Sequence, residues 1–353
     1  MTEPDSKDRV STLNPLGRMA LWTILPIVFV LMAGAAWYAS YVFRPGPDTA
    51  KSSVVVTIPQ GTSVRAIREI LARDGIIHDD IRFLLLAKFS GYGRRLQAGE
   101  FRLRTGVPPG EVLRELASAR SIEYAVTIPE GLRAAEIAEL LGELGWCNPE
   151  NFIKLVADRP LLEKLGFAHL DSFEGYLFPD TYLFTRDISD AEKIISLMVQ
   201  RFTAVWGELT AGLDEEPDQQ GTVILASIVE EETGAHEERP LIAGVFHNRL
   251  QTGMRLQSDP TVVYGSKKFA GTISKNDLQT PTPYNTYTLA GLPAGPISNP
   301  GKEALQAVLY PTATDHLYFV SKNNGTHQFS KSLIEHNRAV NKYQRKNSDN
   351  KGK

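Results

Sequence analysis

Hydrophobic residues are distributed unevenly along the chain, with one uninterrupted run near the N terminus and shorter amphipathic segments after it. No charged residue occurs from Met19 to Phe43. A helix over this run, rising about 1.5 Å per residue, can cross a bilayer core of roughly 30 Å. A cleaved signal peptide is the alternative, but its apolar core usually has only about 7–15 residues. We therefore predict a transmembrane helix at 19–43 that contacts the lipid bilayer.

The charges on either side of this run predict its orientation. Three basic residues lie within 1–18, whereas only Arg44 and Lys51 follow the run closely. Because basic flanks are retained on the cytoplasmic side, we expect 1–18 to be a cytoplasmic tail, too short to fold. The chain from about residue 45 would then lie outside the inner membrane, in periplasmic or extracytoplasmic space.

An internal repeat follows the predicted membrane helix and a proline-containing segment, 44–52, which we interpret as a linker. The hexapeptide at 56–61 recurs at 126–131 with a single change, Gln60 to Glu130. Each copy has a β-rich run, a Pro-x-Gly turn and an amphipathic segment ending at glycine, which predicts a strand, a turn and a helix. Two copies are too few for a solenoid.

Shorter patterns complete the predicted elements. The apolar spacing predicts helices over 81–89 and 188–206, and 97–103 alternates like a short strand. Asn323-Asn324-Gly325 between two β-rich runs predicts a hairpin, and 332–335 is a capping box that begins a helix. The fold class is therefore α+β, with a small module at 53–123, a mixed α/β catalytic domain at 124–345 and a disordered tail at 346–353.

Three consecutive glutamates end the apolar segment that begins at residue 225. At helical spacing, Glu232 lies on the same stripe as Ile228 and Val229, whereas Glu230 and Glu231 project elsewhere. A carboxyl group against an apolar surface loses hydration in its charged form, so its pKa rises towards the range of a general acid. The alternative is a solvated cluster at a helix end, and we keep that interpretation for Glu230 and Glu231.

Proline-rich loops at 280–287 and 291–301 are expected to be stiff. They present aromatic rings, which stack on sugar rings, and amides and acids, which hydrogen-bond sugar hydroxyl and acetamido groups. A purely structural hydrogen-bonding role is equally open for each candidate. The candidate substrate-binding residues are Glu174, Asn248, Gln257, Asp259, Tyr284, Asn285 and Tyr287.

Composition excludes several other functions. The formal net charge of the 353 residues is −3 and basic residues are interspersed with acids, so we expect no nucleic-acid partner. Cys147 is the single cysteine, which leaves no disulfide within the chain and no cysteine-based metal site. His236-Glu237 begins like a zinc-protease motif, but Pro240 occupies the position of the second histidine. We expect no metal and no cofactor, and an acid-driven reaction on a neutral polymer.

Several motifs, in their order along the chain, resemble those of the YceG-like family. The resemblance covers roughly residues 50–345. Its central motif is Ile228-Val229-Glu230-Glu231-Glu232-Thr233, in which Glu231 stands where we expect lysine to be common. The other segments that carry it are 174–182, 245–250, 254–261, 284–287 and 291–293.

This resemblance implies a single-pass protein of the bacterial inner membrane that cleaves nascent peptidoglycan strands internally. It implies cleavage between N-acetylmuramic acid and N-acetylglucosamine, leaving 1,6-anhydro-N-acetylmuramic acid ends and terminating strand elongation. It also implies that Glu232 is the catalytic acid and that peptidoglycan synthases are partners.

Alternatives remain at this point. The first repeat copy resembles a small LysM-type module, which would bind N-acetylglucosamine polymers, but a plain spacer explains 53–123 equally well. A hydrolytic muramidase is the nearest alternative enzyme. A non-catalytic glycan-binding or scaffold protein is the alternative from another class.

Overall fold

The computed structural model describes residues 15–48, 52–186, 190–266 and 271–345, which form two compact units. The first unit contains the described residues up to Glu123 together with Thr185 and Arg186, and the second contains the remainder. Helices and antiparallel strand pairs occur in both, so the predicted α+β class is confirmed. Most of the predicted cytoplasmic tail and the predicted C-terminal tail lie outside the described residues.

The first unit is built on one antiparallel strand pair. Strand β1 pairs with β2 so that Ser53 lies opposite Arg104. Val56 and Phe101 are paired and fully buried between this sheet and the helices. A 3-10 helix covers Tyr92–Arg94. The elements are α1 (Pro15–Val42), β1 (Ser53–Ile58), α2 (Val64–Arg73), α3 (Arg82–Phe89), β2 (Gly99–Arg104) and α4 (Pro109–Ser118).

Helix α1 contains the predicted membrane-spanning run. Among the described helices it is the one with the length and apolar character needed to cross a membrane, from Trp22 to Val42. Its last turn enters the core of the first unit, where Tyr41 is buried. The described part of the segment predicted as a linker is hydrogen-bonded to the unit, from Gly46 N to Val107 O and from Asp48 N to Gly75 O. Helix α1 is therefore held to the rest of the first unit by side-chain packing as well as by its covalent connection.

The second unit is mainly helical, with two separate antiparallel strand pairs. A 3-10 helix covers His236–Glu238, and the chain continues past its last helix in a π-helical turn, Asn341–Arg345. The elements are β3 (Tyr124–Thr127), α5 (Ala134–Glu143), α6 (Pro149–Val156), α7 (Arg159–Lys164), β4 (Thr181–Phe184), α8 (Ala191–Thr210), α9 (Gln219–Glu232), α10 (Arg239–Gln251), α11 (Asp259–Gly265), α12 (Lys275–Gln279), α13 (Lys302–Leu309), β5 (Tyr318–Ser321), β6 (His327–Ser330) and α14 (Leu333–Val340).

One repeat copy lies in each unit, after α1 in the first unit and at the start of the second. The first forms β1 and α2 and the second forms β3 and α5, as the repeat predicts. Gly61 and Gly131 have φ angles of 79° and 81°, which explains why both turns need glycine. Each repeat strand nevertheless pairs outside the repeat, β1 with β2 and β3 with β4.

Helix α9 lies at the centre of the second unit. It packs against α10, α11 and α13, and its residues from Val223 to Val229 are all buried. Ile228 and Val229, which we predicted to lie on a buried stripe, are indeed buried. Residues on the other faces of the helix are buried as well, so burial is not restricted to one stripe. As a consequence, every side chain in the last turn of α9 must find a partner or an opening to solvent.

Candidate active site

Glu232 is the last residue of α9 and lies where the helix opens onto a cavity. The helix ends because Thr233 is extended, with φ −149° and ψ 134°. Ser258, the residue that precedes α11, donates its hydroxyl to Glu232 Oε1 at 2.5 Å. Ser258 is itself buried and held by a hydrogen bond from its backbone N–H to Thr286 Oγ1. The carboxyl group is thus fixed by a loop distant in sequence.

The surroundings of Glu232 favour its protonated form. Burial raises the pKa of Glu232 to about 7, although the hydroxyl of Ser258 stabilises the charged form and lowers it. The negative charge of Asp259 raises this pKa further, and the positive charge of Arg249 lowers it. Near neutral pH both protonation states are populated, as a group that first donates and then accepts a proton requires.

The cavity beside Glu232, hereafter the Glu232 cavity, has a volume of about 720 Å³ and lies within the second unit. The β5–β6 hairpin and α14 contribute much of its wall. Pockets of roughly 300–1,000 Å³ are typical of sites that hold organic ligands. Its lining includes polar and aromatic side chains, among them Glu232, Arg249, Gln257, Asp259, Tyr287 and Tyr318.

The structure brings three of the predicted substrate-binding residues to the Glu232 cavity. Gln257, Asp259 and Tyr287 all line it. The Tyr287 hydroxyl donates to Asp259 Oδ1 at 2.6 Å, which couples the first residue of α11 to the predicted stiff loop. Gln257 has a φ angle of 51°, a left-handed conformation that non-glycine residues seldom adopt and that clusters at functional sites.

Glu174 and Tyr284 do not line the Glu232 cavity. Glu174 is buried and accepts hydrogen bonds from Ala134 N, Asn299 Nδ2 and the Tyr264 hydroxyl. The ring of Tyr284 packs on that of Tyr264, with centroids 4.7 Å apart. Glu174 therefore links parts of the second unit that are distant in sequence, and its predicted contact with substrate stays a prediction.

Asn248 and Asn285 also lie away from the Glu232 cavity. Asn248 Nδ2 donates to the carbonyls of Thr314 and His316, at 2.7 and 3.0 Å. Asn285 is buried, and its Nδ2 lies 2.8–3.2 Å from three carbonyl oxygens of the chain between Asp277 and Thr280. In both cases the amide holds a loop in place, and the predicted contact with sugar stays untested.

Burial also raises the pKa of Glu174 to about 7, so pKa alone does not distinguish an acid catalyst. The difference between the two glutamates lies in access. Glu174 is enclosed by three donors, whereas Glu232 is partly exposed and lines a cavity. Of these two glutamates, only Glu232 combines a pKa near neutrality with room for a substrate.

A match to a known protein family extends over most of the chain. Residues 56–342 match the model of the YceG-like family. The chain belongs to the YceG-like family. A relative from Bacillus subtilis (strain 168), named endolytic murein transglycosylase, is 32% identical over 89% of this chain and 91% of the relative. One of the same name from Streptococcus pneumoniae (strain D39) is 30% identical over 89% of this chain and 63% of that longer protein.

A solved structure gives the same result for this YceG-like chain. The crystal structure of a yceG-like protein from Listeria monocytogenes matches with a TM-score of 0.55 and 30% sequence identity. The match covers 82% of this chain and 99% of that one.

One interpretation of the glutamate cluster in this YceG-like protein was wrong. Glu230 is not solvated, since its side chain is 5% exposed and pairs with Arg239, which is 4% exposed. Gly301 N also donates to Glu230 Oε2 at 2.9 Å. Glu231 is exposed, as expected. Helical periodicity could not separate the two, because the partner of Glu230 comes from α10.

Sequence reasoning also missed two groups beside the catalytic candidate of this YceG-like protein. Arg249 is buried and donates from Nε to Leu317 O at 2.7 Å and from Nη1 to Leu256 O at 2.6 Å. Its guanidinium lies 5.5 Å from the ring centre of Tyr318. Ser258 is the second missed residue. Both lie within segments that carry the family resemblance, 245–250 and 254–261, but no local pattern singles them out, because Arg249 contacts Leu317 and Ser258 contacts Glu232 across distant parts of the chain.

Replacing Ser258 with alanine is expected to move the alkaline limit of activity to higher pH. The substitution removes a donor that stabilises charged Glu232, so the pKa of Glu232 rises and its protonated form persists further. Loss of orientation is expected to lower kcat about tenfold, since a hydrogen bond to a charged group is worth about 1.5 kcal/mol or more. The measurement is the pH profile of kcat/KM. An unmoved alkaline limb would contradict the role of Ser258.

Proposed function

We propose that this protein is a membrane-anchored lytic transglycosylase that cleaves peptidoglycan strands with Glu232 as its acid and base. One observation carries the proposal: of the two described glutamates with a pKa raised to about 7, Glu232 lines a cavity. Support also comes from the relatives from Bacillus subtilis and Streptococcus pneumoniae, which are named endolytic murein transglycosylases.

In the proposed reaction, protonated Glu232 donates its proton to the glycosidic oxygen between N-acetylmuramic acid and N-acetylglucosamine. The bond from C1 of the muramic acid to that oxygen breaks, and positive charge develops at C1. The 6-hydroxyl of the same sugar then attacks C1 and gives its proton to the Glu232 carboxylate. The products are a 1,6-anhydro-N-acetylmuramic acid end and a free 4-hydroxyl on N-acetylglucosamine, with no water consumed.

This chemistry needs one carboxyl group in two protonation states rather than a pair of carboxylates. Ordinary glycosidases use a second carboxylate as nucleophile or to activate water, whereas here the nucleophile belongs to the substrate. A pKa of about 7 suits both halves of the cycle near neutral pH. Asp259, whose negative charge already acts on Glu232, is positioned to stabilise the positive charge at C1.

The walls of the Glu232 cavity suit a glycan strand. We propose that Tyr287 and Tyr318 supply ring surfaces for the sugars and that Gln257 hydrogen-bonds an acetamido or hydroxyl group.

We further propose that the first unit binds glycan in a LysM-like manner. Peptidoglycan synthases are the proposed protein partners.

The proposed location follows from α1. Its run from Trp22 to Val42 is long and apolar enough to cross a membrane, and its large apolar side chains from Trp22 to Trp37 are exposed. We propose that it spans the bacterial inner membrane with the N terminus in the cytoplasm, as the basic flank favours. Both units would then face the peptidoglycan.

Product analysis tests the proposed function. Purified protein is incubated with uncrosslinked glycan strands, and the new ends are identified by mass spectrometry. Anhydro ends inside former strands are expected. Reducing ends, heavier by one water, would identify a hydrolytic muramidase instead. Binding without any cleavage would identify a glycan-binding protein, and either result would overturn the proposal.

A further inference from the structure

Helix α3 of the first unit is apolar on two opposite faces. Phe83, Leu86 and Ala87 are buried in the core of the unit. On the other face, Ile81 just before the helix, Leu85 and Phe89 are exposed by 64%, 37% and 73%. Spacings of four residues place these three side chains in one stripe. An apolar stripe on a helix is normally covered by another apolar surface, so this stripe lacks its expected cover.

The stripe is continuous with the end of α1. The Phe89 ring contacts that of Tyr38 edge to face, with centroids 6.3 Å apart. At the other end of α3, the Arg82 guanidinium lies 4.9 Å from the ring centre of Trp37 and donates to Ser40 Oγ at 2.9 Å. Both contacts therefore meet α1 in its last turns, where the predicted span reaches the outer surface of the bilayer.

These contacts also indicate the direction of α3. Arg82 and Phe89 are seven residues apart, which is a rise of about 10 Å along a helix. Their partners on α1 lie within a single turn, from Trp37 to Ser40. Helix α3 therefore crosses α1 instead of running beside it. If α1 spans the bilayer, α3 lies along the membrane surface at the depth of the aromatic residues that favour the interface.

The charge around the stripe fits the same position. From Ile81 to Gly99 the sequence has four basic residues and no acidic residue. Asp79 and Asp80, which precede the stripe, are paired with Arg68 and Arg82. Three of them, Lys88, Arg94 and Arg95, are exposed and have no ion-pair partner within the part of the chain that the structure describes. A helix with an apolar face and neighbouring unpaired basic residues is typical of segments that lie in the headgroup region of anionic membranes.

We propose that α3 is a second membrane contact, with Ile81, Leu85 and Phe89 immersed in the outer leaflet and the basic residues of 88–95 facing lipid headgroups. The inference rests on the proposed membrane anchor, because continuity with α1 is what identifies the bilayer as the cover of the stripe. The first unit would then be held on the membrane surface at two places rather than suspended from one helix.

Spin labels on the full chain in nanodiscs of phosphatidylethanolamine and phosphatidylglycerol test this proposal. Single cysteines replace Leu85 or Phe89 in a Cys147→Ala background. Val55 is the matched control, since it is an exposed apolar residue of the same unit on β1. Leu31, within α1, reports on the anchor itself. The ratio of collisions with oxygen to collisions with a water-soluble nickel chelate measures immersion of each label.

We expect the ratio of oxygen collisions to nickel-chelate collisions for labels at positions 85 and 89 to be several-fold higher than for the label at position 55. It should approach the ratio for the label at position 31. Water-like ratios at 85 and 89 beside a lipid-like ratio at 31 would overturn the inference and leave the anchor in place. Labels at 85 and 89 shielded from both reagents would show a protein covering the stripe, which also overturns it. A water-like ratio at 31 would refute the anchor and the inference together, without affecting the product analysis of the second unit.

Discussion

Glu232→Gln protein is expected to lose nearly all glycan cleavage while remaining folded. Glutamine keeps the size of the side chain but has no proton to donate to the glycosidic oxygen and cannot accept one from the 6-hydroxyl. General acid and base assistance contributes roughly 10²–10⁴-fold to a rate, and the upper end is expected here because one group serves both steps. The measurement is the initial rate of anhydro-end formation on glycan strands.

Glu231→Gln is the matched control for this substitution. It makes the same change one residue earlier, on a side chain that is exposed and does not line the Glu232 cavity. Its rate is expected to stay within a few-fold of the unmodified protein. Equal losses in both variants, or retained cleavage in Glu232→Gln, would remove Glu232 from its proposed role.

Stability separates loss of chemistry from loss of fold in Glu232→Gln. The folded-state pKa of Glu232 lies above its ordinary value of 4.5, so the folded protein binds this proton more tightly than the unfolded chain does. The free energy of unfolding therefore falls as pH rises between these values, and above about pH 7 ionised Glu232 costs stability. The glutamine variant escapes that cost, and its Tm at alkaline pH is expected to equal or exceed that of the unmodified protein.

The sequence predicted those elements that are determined by contacts between residues close together in the chain. The glycine at positive φ in each repeat turn, Gly61 and Gly131, predicted both strand-turn-helix units. Ser332 caps α14 by accepting a hydrogen bond from Glu335 N, as the capping box predicts, whereas Glu335 Oε2 accepts from Lys331 N instead of Ser332 N. The hairpin of β5 and β6 forms around Asn323, which has a φ of 60°. Each of these features depends on residues only a few positions apart.

Features that depend on residues distant in sequence were not predictable. Strand β3 pairs with β4 across more than fifty residues, so that Thr127 lies opposite Thr181. The Ser258 hydroxyl reaches Glu232 from 26 residues further along the chain. No pattern within one helix or loop reports such contacts. The same reason explains why Gln257 and Tyr287 meet at one cavity while Asn248 and Asn285 fix loops elsewhere.

The three consecutive glutamates show how tertiary contacts assign different roles to identical side chains. Glu231 remains exposed at the surface. Glu232 faces a cavity with a single hydroxyl donor, and its pKa rises to about 7. Glu230 is as deeply buried as a core residue but has a cation and a backbone N–H as partners. Its pKa is also raised, chiefly by burial, and Arg239 opposes that effect.

Arg239→Met is expected to lower the free energy of unfolding by about 3–5 kcal/mol, because it leaves the buried Glu230 carboxylate without its cation. Urea denaturation at neutral pH measures this loss. Without the arginine, the pKa of Glu230 rises further in the folded state. The folded variant therefore binds a proton at Glu230 at pH values where Glu230 is ionised in the unfolded chain. The destabilisation should therefore diminish as pH falls and be largest at alkaline pH.

Two variants isolate the buried pair from the surrounding charges. Arg239 also lies 3.2 Å from Glu303 Oε2 and 3.6 Å from Glu130 Oε2, but both carboxylates are exposed, and Glu303→Gln is expected to cost less than about 1 kcal/mol. Arg239→Met combined with Glu230→Leu removes both buried charges and should recover most of the stability lost by Arg239→Met alone. A double variant as unstable as the single one would mean that packing around Arg239, rather than an uncompensated charge on Glu230, determines the loss.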